Sequence, residues 1–233
     1  MAQYFTDFSD ASIADDTVPD WSAHWDEPDQ WRVVADGAGK AVQIDPINNI
    51  FGVFLYDGFG DTADQEIYAE TKTTSDGGLG FEQGVVVRAN EDPDRKGYIV
   101  GALGFSKLLL SRLIGSSETV LSLSDSLSSY TSTEKFKLRV RVSGTSIKTR
   151  VWRSTDAEPV SWTQEVTDTV IASGRVGLFA RNNTGVKTWY NVGIGTNGDS
   201  APTSAPATGP NTPINPSITS LLATSARLNW EQG

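Results

Sequence analysis

The sequence predicts an all-β protein built as an antiparallel sandwich, and three observations predict it. Short runs alternate apolar and polar residues with a period of two, the pattern of strands with one buried and one wet face. Turn residues recur between these runs, drawn from 22 glycines and 10 prolines in a chain of 233 residues. No segment holds a helical apolar period for more than a turn or two, which points to an antiparallel arrangement.

Composition narrows the function classes. At 38% hydrophobic residues the chain can fill a core, and its length fits one large β domain or one domain plus a fragment. A net charge of −10 argues against sequence-independent nucleic-acid binding, which needs a dominant basic surface. With no cysteine there is no disulfide and no thiol chemistry, so folding in a reducing cytoplasm is the simpler expectation. No apolar stretch approaches the roughly 20 residues of a membrane span, so no membrane insertion is expected. The opening MAQYFTDFSDASIADD has neither a basic n-region nor an apolar h-region, so no secretion signal is expected.

Residues 1–31 hold eight acidic residues and no Lys or Arg, with a first strand at 3–8. The simpler reading is a solvated acidic segment. Asp7, Asp10, Asp15 and Asp16 are also candidate hard-oxygen ligands for a structural Ca²⁺, although their spacing matches no EF-hand loop. Trp21, Trp25 and Trp31 follow, and the expectation is that they seat against the second sheet rather than stack on a sugar. His24, the single histidine, is given no role.

Strands are predicted at 31–35 and 40–44 around the Asp36-Gly37-Ala38-Gly39 turn, and at 51–56. Residues 66–72 (EIYAETK) alternate Ile67, Ala69 and Thr71 against Glu66, Tyr68 and Glu70, so the two carboxylates are expected on a solvated strand face. Val85-Val86-Val87 marks a buried strand at 81–88. The polar loop 90–96 carries Glu91, Asp92 and Asp94, a second set of Ca²⁺ candidates. Strands follow at 98–105 and 107–114, where bracketing glycines favour strand over helix for Leu108-Leu109-Leu110. A short strand at 120–123 precedes a loop at 125–133.

The most informative stretch is 135–181. Phe136, Leu138, Val140 and Val142 alternate with Lys137, Arg139 and Arg141, Ser143-Gly144-Thr145 turns the chain, and the return run pairs Ile147, Thr149 and Val151 against Lys148, Arg150 and Trp152. This is a β-hairpin whose polar face gathers five cations and one indole. The simpler reading is a solvated sheet face. The sharper one is a concave ligand surface where Arg139, Arg141 and Arg150 donate hydrogen bonds to a glycan while Trp152, with Trp162 or Trp189 nearby, stacks on it.

The run LRVRVSGTSIKTRVW…EPVSW…IASGRVGLFA, followed by VGIGTNG, resembles the concanavalin A-like lectin/glucanase (LamG-like) jelly rolls, above all those of bacteriophage tail and virion proteins. The resemblance spans residues 3–198 as a pattern of strands and turns and is sharpest over 135–197. It implies a jelly-roll domain at 1–196. Retaining glucanases of this fold class use a Glu-x-Asp-x-x-Glu run. Here the spacing is Glu66-x-x-x-Glu70 with Tyr68 where the central Asp should stand, so no catalytic residue is assigned.

Residues 197–213 read as a Pro/Ser/Thr-rich linker. Residues 214–233 resemble the first strands of a fibronectin type III module, with Trp230 where that family buries a tryptophan. So short a piece cannot bury a core alone. The resulting expectation is a non-catalytic virion protein, at a tail fibre or capsid surface, that binds host-surface polysaccharide. It would have other virion proteins as partners and belong to a homo-oligomer or larger assembly. The alternatives are a carbohydrate-binding module of a secreted enzyme and a laminarinase-type hydrolase.

Overall fold

A computed structural model describes residues 2–25, 30–44, 51–73, 82–91, 95–104, 106–128, 130–131, 134–181 and 185–205. Among them run β1 (Ala2–Thr6), β2 (Trp21–Trp25), β3 (Trp31–Asp36), β4 (Gly39–Ile44) and β5 (Phe51–Tyr56). β6 (Gln65–Thr73), β7 (Glu82–Ala89), β8 (Lys96–Leu103), β9 (Lys107–Ile114) and β10 (Ser117–Ser124) follow. The last five are β11 (Phe136–Ser143), β12 (Ser146–Arg153), β13 (Gln164–Thr167), β14 (Arg175–Arg181) and β15 (Lys187–Thr196).

The strands form two antiparallel sheets, as the alternation predicts. The first has the order β13-β12-β11-β6-β15-β4-β3 with β1 also on β15, and the second the order β10-β9-β8-β7-β14-β5-β2. β10 is longer than its apolar run suggests, because the Gly115-Ser116 turn lets Ser117 and Glu118 pair at once with Ile114 and Leu113. β13 extends the hairpin sheet from a stretch that lacks clear alternation. The expected type III strands at 214–233 and linker residues 206–213 lie outside the described residues.

The core lies between the sheets. The inward positions of the hairpin, Phe136, Leu138, Val140, Val142, Ile147 and Val151, all enter it. Trp31 stacks on Phe54 at 5.2 Å and packs against Trp189 at 5.3 Å, and Trp21 stacks on the other side of this group at 5.4 Å from Phe54. Trp21 and Trp31 therefore seat in the core as expected. Trp25 does not: its backbone takes φ 73°, which breaks the alternation and turns the indole to the outer side of the second sheet.

That outer side is itself apolar and buried, with Val53, Leu55, Val86, Ile99, Leu113 and Phe179 packed around Trp25. Two contacts show how. Arg181 on β14 pairs with Glu118 on β10 at 2.5 Å, although three strands separate them in the sheet, and Trp25 Nε1 donates to Asn90 O at 3.0 Å from β2 across to the end of β7. The second sheet therefore coils over its own outer face, an exaggeration of the ordinary twist of strands.

At one end of the sandwich Arg88, 3% exposed, fastens three loops. Its guanidinium donates to Ala63 O (2.8 Å), Ile171 O (2.7 Å) and Gly144 O (2.6 Å). Close by, Tyr98 donates its hydroxyl proton to Asp168, which also pairs with Arg112.

Lys187 opens β15 with its side chain between the sheets, wholly buried. Burial disfavours its charged form and lowers its pKa to about 8 from the ordinary 10.5. Between these two values the unfolded chain holds a proton that the folded chain has released, so stability rises with pH across that window. Thermal melts of the wild type should show this rise, and Lys187→Met should flatten it. Equal slopes in both proteins would show that Lys187 is not its source.

Candidate functional site

Strand register builds the site on the outer face of the first sheet. One row across β15, β6, β11 and β12 reads Gly195, Glu66, Arg141, Lys148, and β13 adds Glu165. The next reads Gly193, Tyr68, Arg139, Arg150, and a third Asn191, Glu70, Lys137, Trp152. In the first and third rows a carboxylate on β6 meets a cation on β11 directly opposite, the favourable cross-strand arrangement. The face that sequence alone shows as cationic is therefore largely neutralised by its neighbours.

Glu66 is the centre of this network. The solvated position expected for it is corrected: it is 1% exposed, because Arg139 grips Oε1, Arg141 grips Oε2, and the backbone N–H of Ala201 donates to Oε1 at 3.2 Å. Glu70 accepts from Ser154 Oγ at 2.5 Å and Asn191 Nδ2 at 2.6 Å, so it too is engaged rather than free in solvent. Glu158, from the loop after β12, forms the second anionic pole. Its Oε1 lies 2.6 Å from Arg139 Nε and 2.5 Å from Arg150 Nη2, and its Oε2 accepts from Arg139 Nη2 at 3.0 Å. The Oε1 contacts are close in charge but not aligned as hydrogen bonds.

Arg150 continues the network outward, donating to Pro159 O at 2.7 Å. Its guanidinium also lies 4.3 Å from the centre of the Trp162 ring, with that of Arg141 at 5.6 Å, a cation–π bracket that fixes the indole beside the sheet. Between the arginines and residues 200–203 runs a groove of about 600 Å³, lined by Arg139, Arg141, Arg150, Glu158 and Val160 among others.

The structure gathers Arg139, Arg141 and Arg150 at one groove, and Trp162 lies against the guanidiniums of Arg141 and Arg150. Trp152 is 5% exposed and lies against Tyr68 at 6.1 Å, so it offers an edge to a smaller pocket of about 240 Å³ and not an open stacking face. Trp189 points the opposite way, into the core. The sheet whose outer face closes inward is the second one, not the hairpin sheet for which a concave surface was expected. Glu158 and Tyr68 escaped sequence reasoning. The signal that could have found the network is the matched spacing of two carboxylates in EIYAETK and three cations in KLRVR.

Among the described residues Asp7, Asp10, Asp15 and Asp16 form no converging group of metal ligands. Asp7 accepts from Ser9 N at 3.0 Å, and hydrogen bonds from Ser9 hold its carboxyl below the usual range. Asp16 accepts from Val33 N at 2.8 Å and Asp15 from Ser12 Oγ at 3.1 Å. Asp92 and Asp94 lie outside the described residues. Among the described residues one group of three metal-ligand side chains converges within 4.8 Å, His24, Asp57 and Glu91. Arg175 already bridges its two carboxylates at 2.7 and 2.5 Å, so a guanidinium supplies the positive charge there.

No protein-family model matches this sequence, and no curated protein matches it. Solved structures do match in shape. The carbohydrate binding module CBM66 from Bacillus subtilis superposes with a TM-score of 0.54 at 15% identity, over 74% of this chain and 93% of that one. The VIP36 exoplasmic/lumenal domain in its Ca²⁺/Man-bound form gives 0.56 at 11% identity, over 83% and 89%. A Bacteroides ovatus mixed-linkage-glucan GH16 protein in complex with its G4G4G3G product gives 0.57 at 9% identity, over 82% and 99%. Together with the sheet order, these likenesses show the fold: a jelly-roll β-sandwich.

Proposed function

We propose that this chain is a non-catalytic glycan-binding module that serves as a surface or tail component of a phage virion, attaching it to host polysaccharide. The observation that carries the reading is the groove edged by Arg139, Arg150 and Glu158, with the Trp162 indole lying against the guanidiniums of Arg141 and Arg150 that line it. An aromatic face for sugar C–H groups beside fixed polar groups for hydroxyls is the chemistry a carbohydrate site needs. The similarity in fold to a carbohydrate binding module and a mannose-bound lectin domain is in keeping with it. The virion assignment rests on the sequence resemblance over 135–197.

The way two carboxylates are held supports the non-catalytic reading. A glycosidase needs one carboxyl that gives a proton and a second that attacks or activates water. Glu66 is enclosed by two arginines and a backbone amide, and Glu158 is bridged by two arginines. A carbohydrate-binding module of a glycan-active enzyme would use the same groove and remains the second reading.

A glycan array probed with the full chain, followed by calorimetry on the hits, tests this. Trp162→Ala should weaken the measured affinity by about tenfold, equivalent to about 1.4 kcal/mol, with its melting temperature near the wild-type value. A wild type that binds no glycan would remove the reading.

A further inference from the structure

We propose that residues 199–203 are a displaceable strap over a second sugar subsite, the Tyr68–Trp152 aromatic pair, and that a neutral pyranose takes the strap's place there. This rests on the glycan-binding reading of the adjoining groove.

After the turn at Asn197-Gly198 the chain doubles back over the outer face of β15, along a track that two glycines keep clear. A Cβ at Gly193 would stand 1.8 Å from Pro202 O, and one at Gly195 would stand 2.3 Å from Asp199 O. For each, the nearest atoms belong to the strap and to nothing else. The track is thus shaped to the strap rather than to the sheet.

What the strap covers is built like a binding site. Ala201 packs on Tyr68 and Trp152, and all three are buried together. The backbone of Ala201 is held at both ends: its N–H donates to Glu66 Oε1 at 3.2 Å, and its carbonyl accepts from Arg139 Nη1 at 2.9 Å. A fixed acceptor and a fixed donor beside two aromatic rings would meet the hydroxyls and C–H face of a pyranose in the same way. The opposite charges of Glu66 and Arg139 favour no net charge on the occupant, which points to a neutral sugar.

The strap is lightly secured elsewhere. Gln3 Nε2 donates to Ser200 O at 2.7 Å and Arg141 Nη2 to Ser200 Oγ at 3.1 Å, both at solvent-exposed positions. Exposed hydrogen bonds are readily exchanged for bonds to water, so a ligand that replaces them can lift the strap.

The test uses the full chain with laminaritetraose, cellotetraose and mannotetraose as probes, reading hydrogen exchange at the Ala201 amide and affinity by calorimetry. In the wild type, saturation with a bound tetrasaccharide should strip protection from Ala201, and protection retained at saturation overturns the proposal. Gly193→Ala and Gly195→Ala should each raise Ala201 exchange by about a hundredfold or more and tighten binding by about fivefold. Fast exchange with wild-type affinity overturns the subsite and leaves the Trp162 groove standing. Unchanged exchange in the folded variants overturns the glycine track as the strap's seat. A wild type and variants that bind none of the three probes, with the glycan array also blank, would mean that the glycan-binding reading itself has failed.

Discussion

Replacing Trp189 by alanine should unfold the protein at a temperature about 10 °C or more below the wild type. Trp189 has no exposed surface, packs against Trp31 at 5.3 Å and donates its indole N–H to Gly84 O at 3.0 Å across the sandwich. Truncating a buried tryptophan to alanine costs about 3–5 kcal/mol in lost burial and cavity. The orphaned Gly84 carbonyl adds about 1 kcal/mol or more. In a domain of this size each kcal/mol shifts the melting temperature by about 2–4 °C. Trp189→Phe keeps most of the volume and loses only the hydrogen bond, so it should lie much nearer the wild type. A melt of Trp189→Ala within about 3 °C of the wild type would show that the two sheets meet without this contact.

Arg88→Ala should be comparably damaging for a different reason. Three loops, before β6, between β11 and β12 and before β14, each direct one backbone carbonyl at the Arg88 guanidinium. Removing it takes the guanidinium from three carbonyls, of which Ile171 O keeps only a long contact from the Tyr98 hydroxyl at 3.5 Å, and a buried unsatisfied carbonyl costs about 1–3 kcal/mol. The expected loss is about 4 kcal/mol by chemical denaturation, since water entering from the open end will rescue part of it. Arg88→Lys, whose compact ammonium cannot reach carbonyls arrayed around Nε, Nη1 and Nη2 of the guanidinium, should recover little. Hydrogen exchange distinguishes this clamp from a general core defect: amides in the three loops should speed up well before those of β6 and β11. Loops that keep wild-type protection in Arg88→Ala would refute the clamp.

The strands were legible because alternation depends only on one face being buried, a property each strand carries alone. Phe136 to Val142 and Ile147 to Val151 read correctly for this reason. Register was not legible, because it depends on which strand lies alongside. Only with β6 beside β11 do Glu66 and Arg141 become opposite partners, and only then does a cationic patch become a neutral network. The burial of Glu66 was hidden by a sound rule applied one layer too soon: outward residues are wet unless something lies over them, and here residues 199–203 do. Those residues read as linker because Ser, Ala, Pro and Thr favour extended chain, and an extended chain is also what a strap requires. Trp25 was misplaced by a single left-handed backbone angle that alternation cannot foresee. Arg88 carried no signal at all, since its partners are main-chain carbonyls that any sequence supplies.

The doubling back of the chain after β15 also decides how the domain bears mechanical load. β1 and β15 pair with Ala2 opposite Thr196, so without the reversal the two ends would leave from the same edge and tension would open the ladder one bond at a time. Residues 199–203 carry the exit point back along β15 past Gly195 to Gly193. Tension applied between Ala2 and residue 205 then runs lengthwise along the strap, and its contacts with Gln3, Glu66, Arg139 and Arg141 resist in shear together rather than in sequence. That geometry replaces a zipper with a lock in the unliganded domain, and an occupant that lifts the strap releases it.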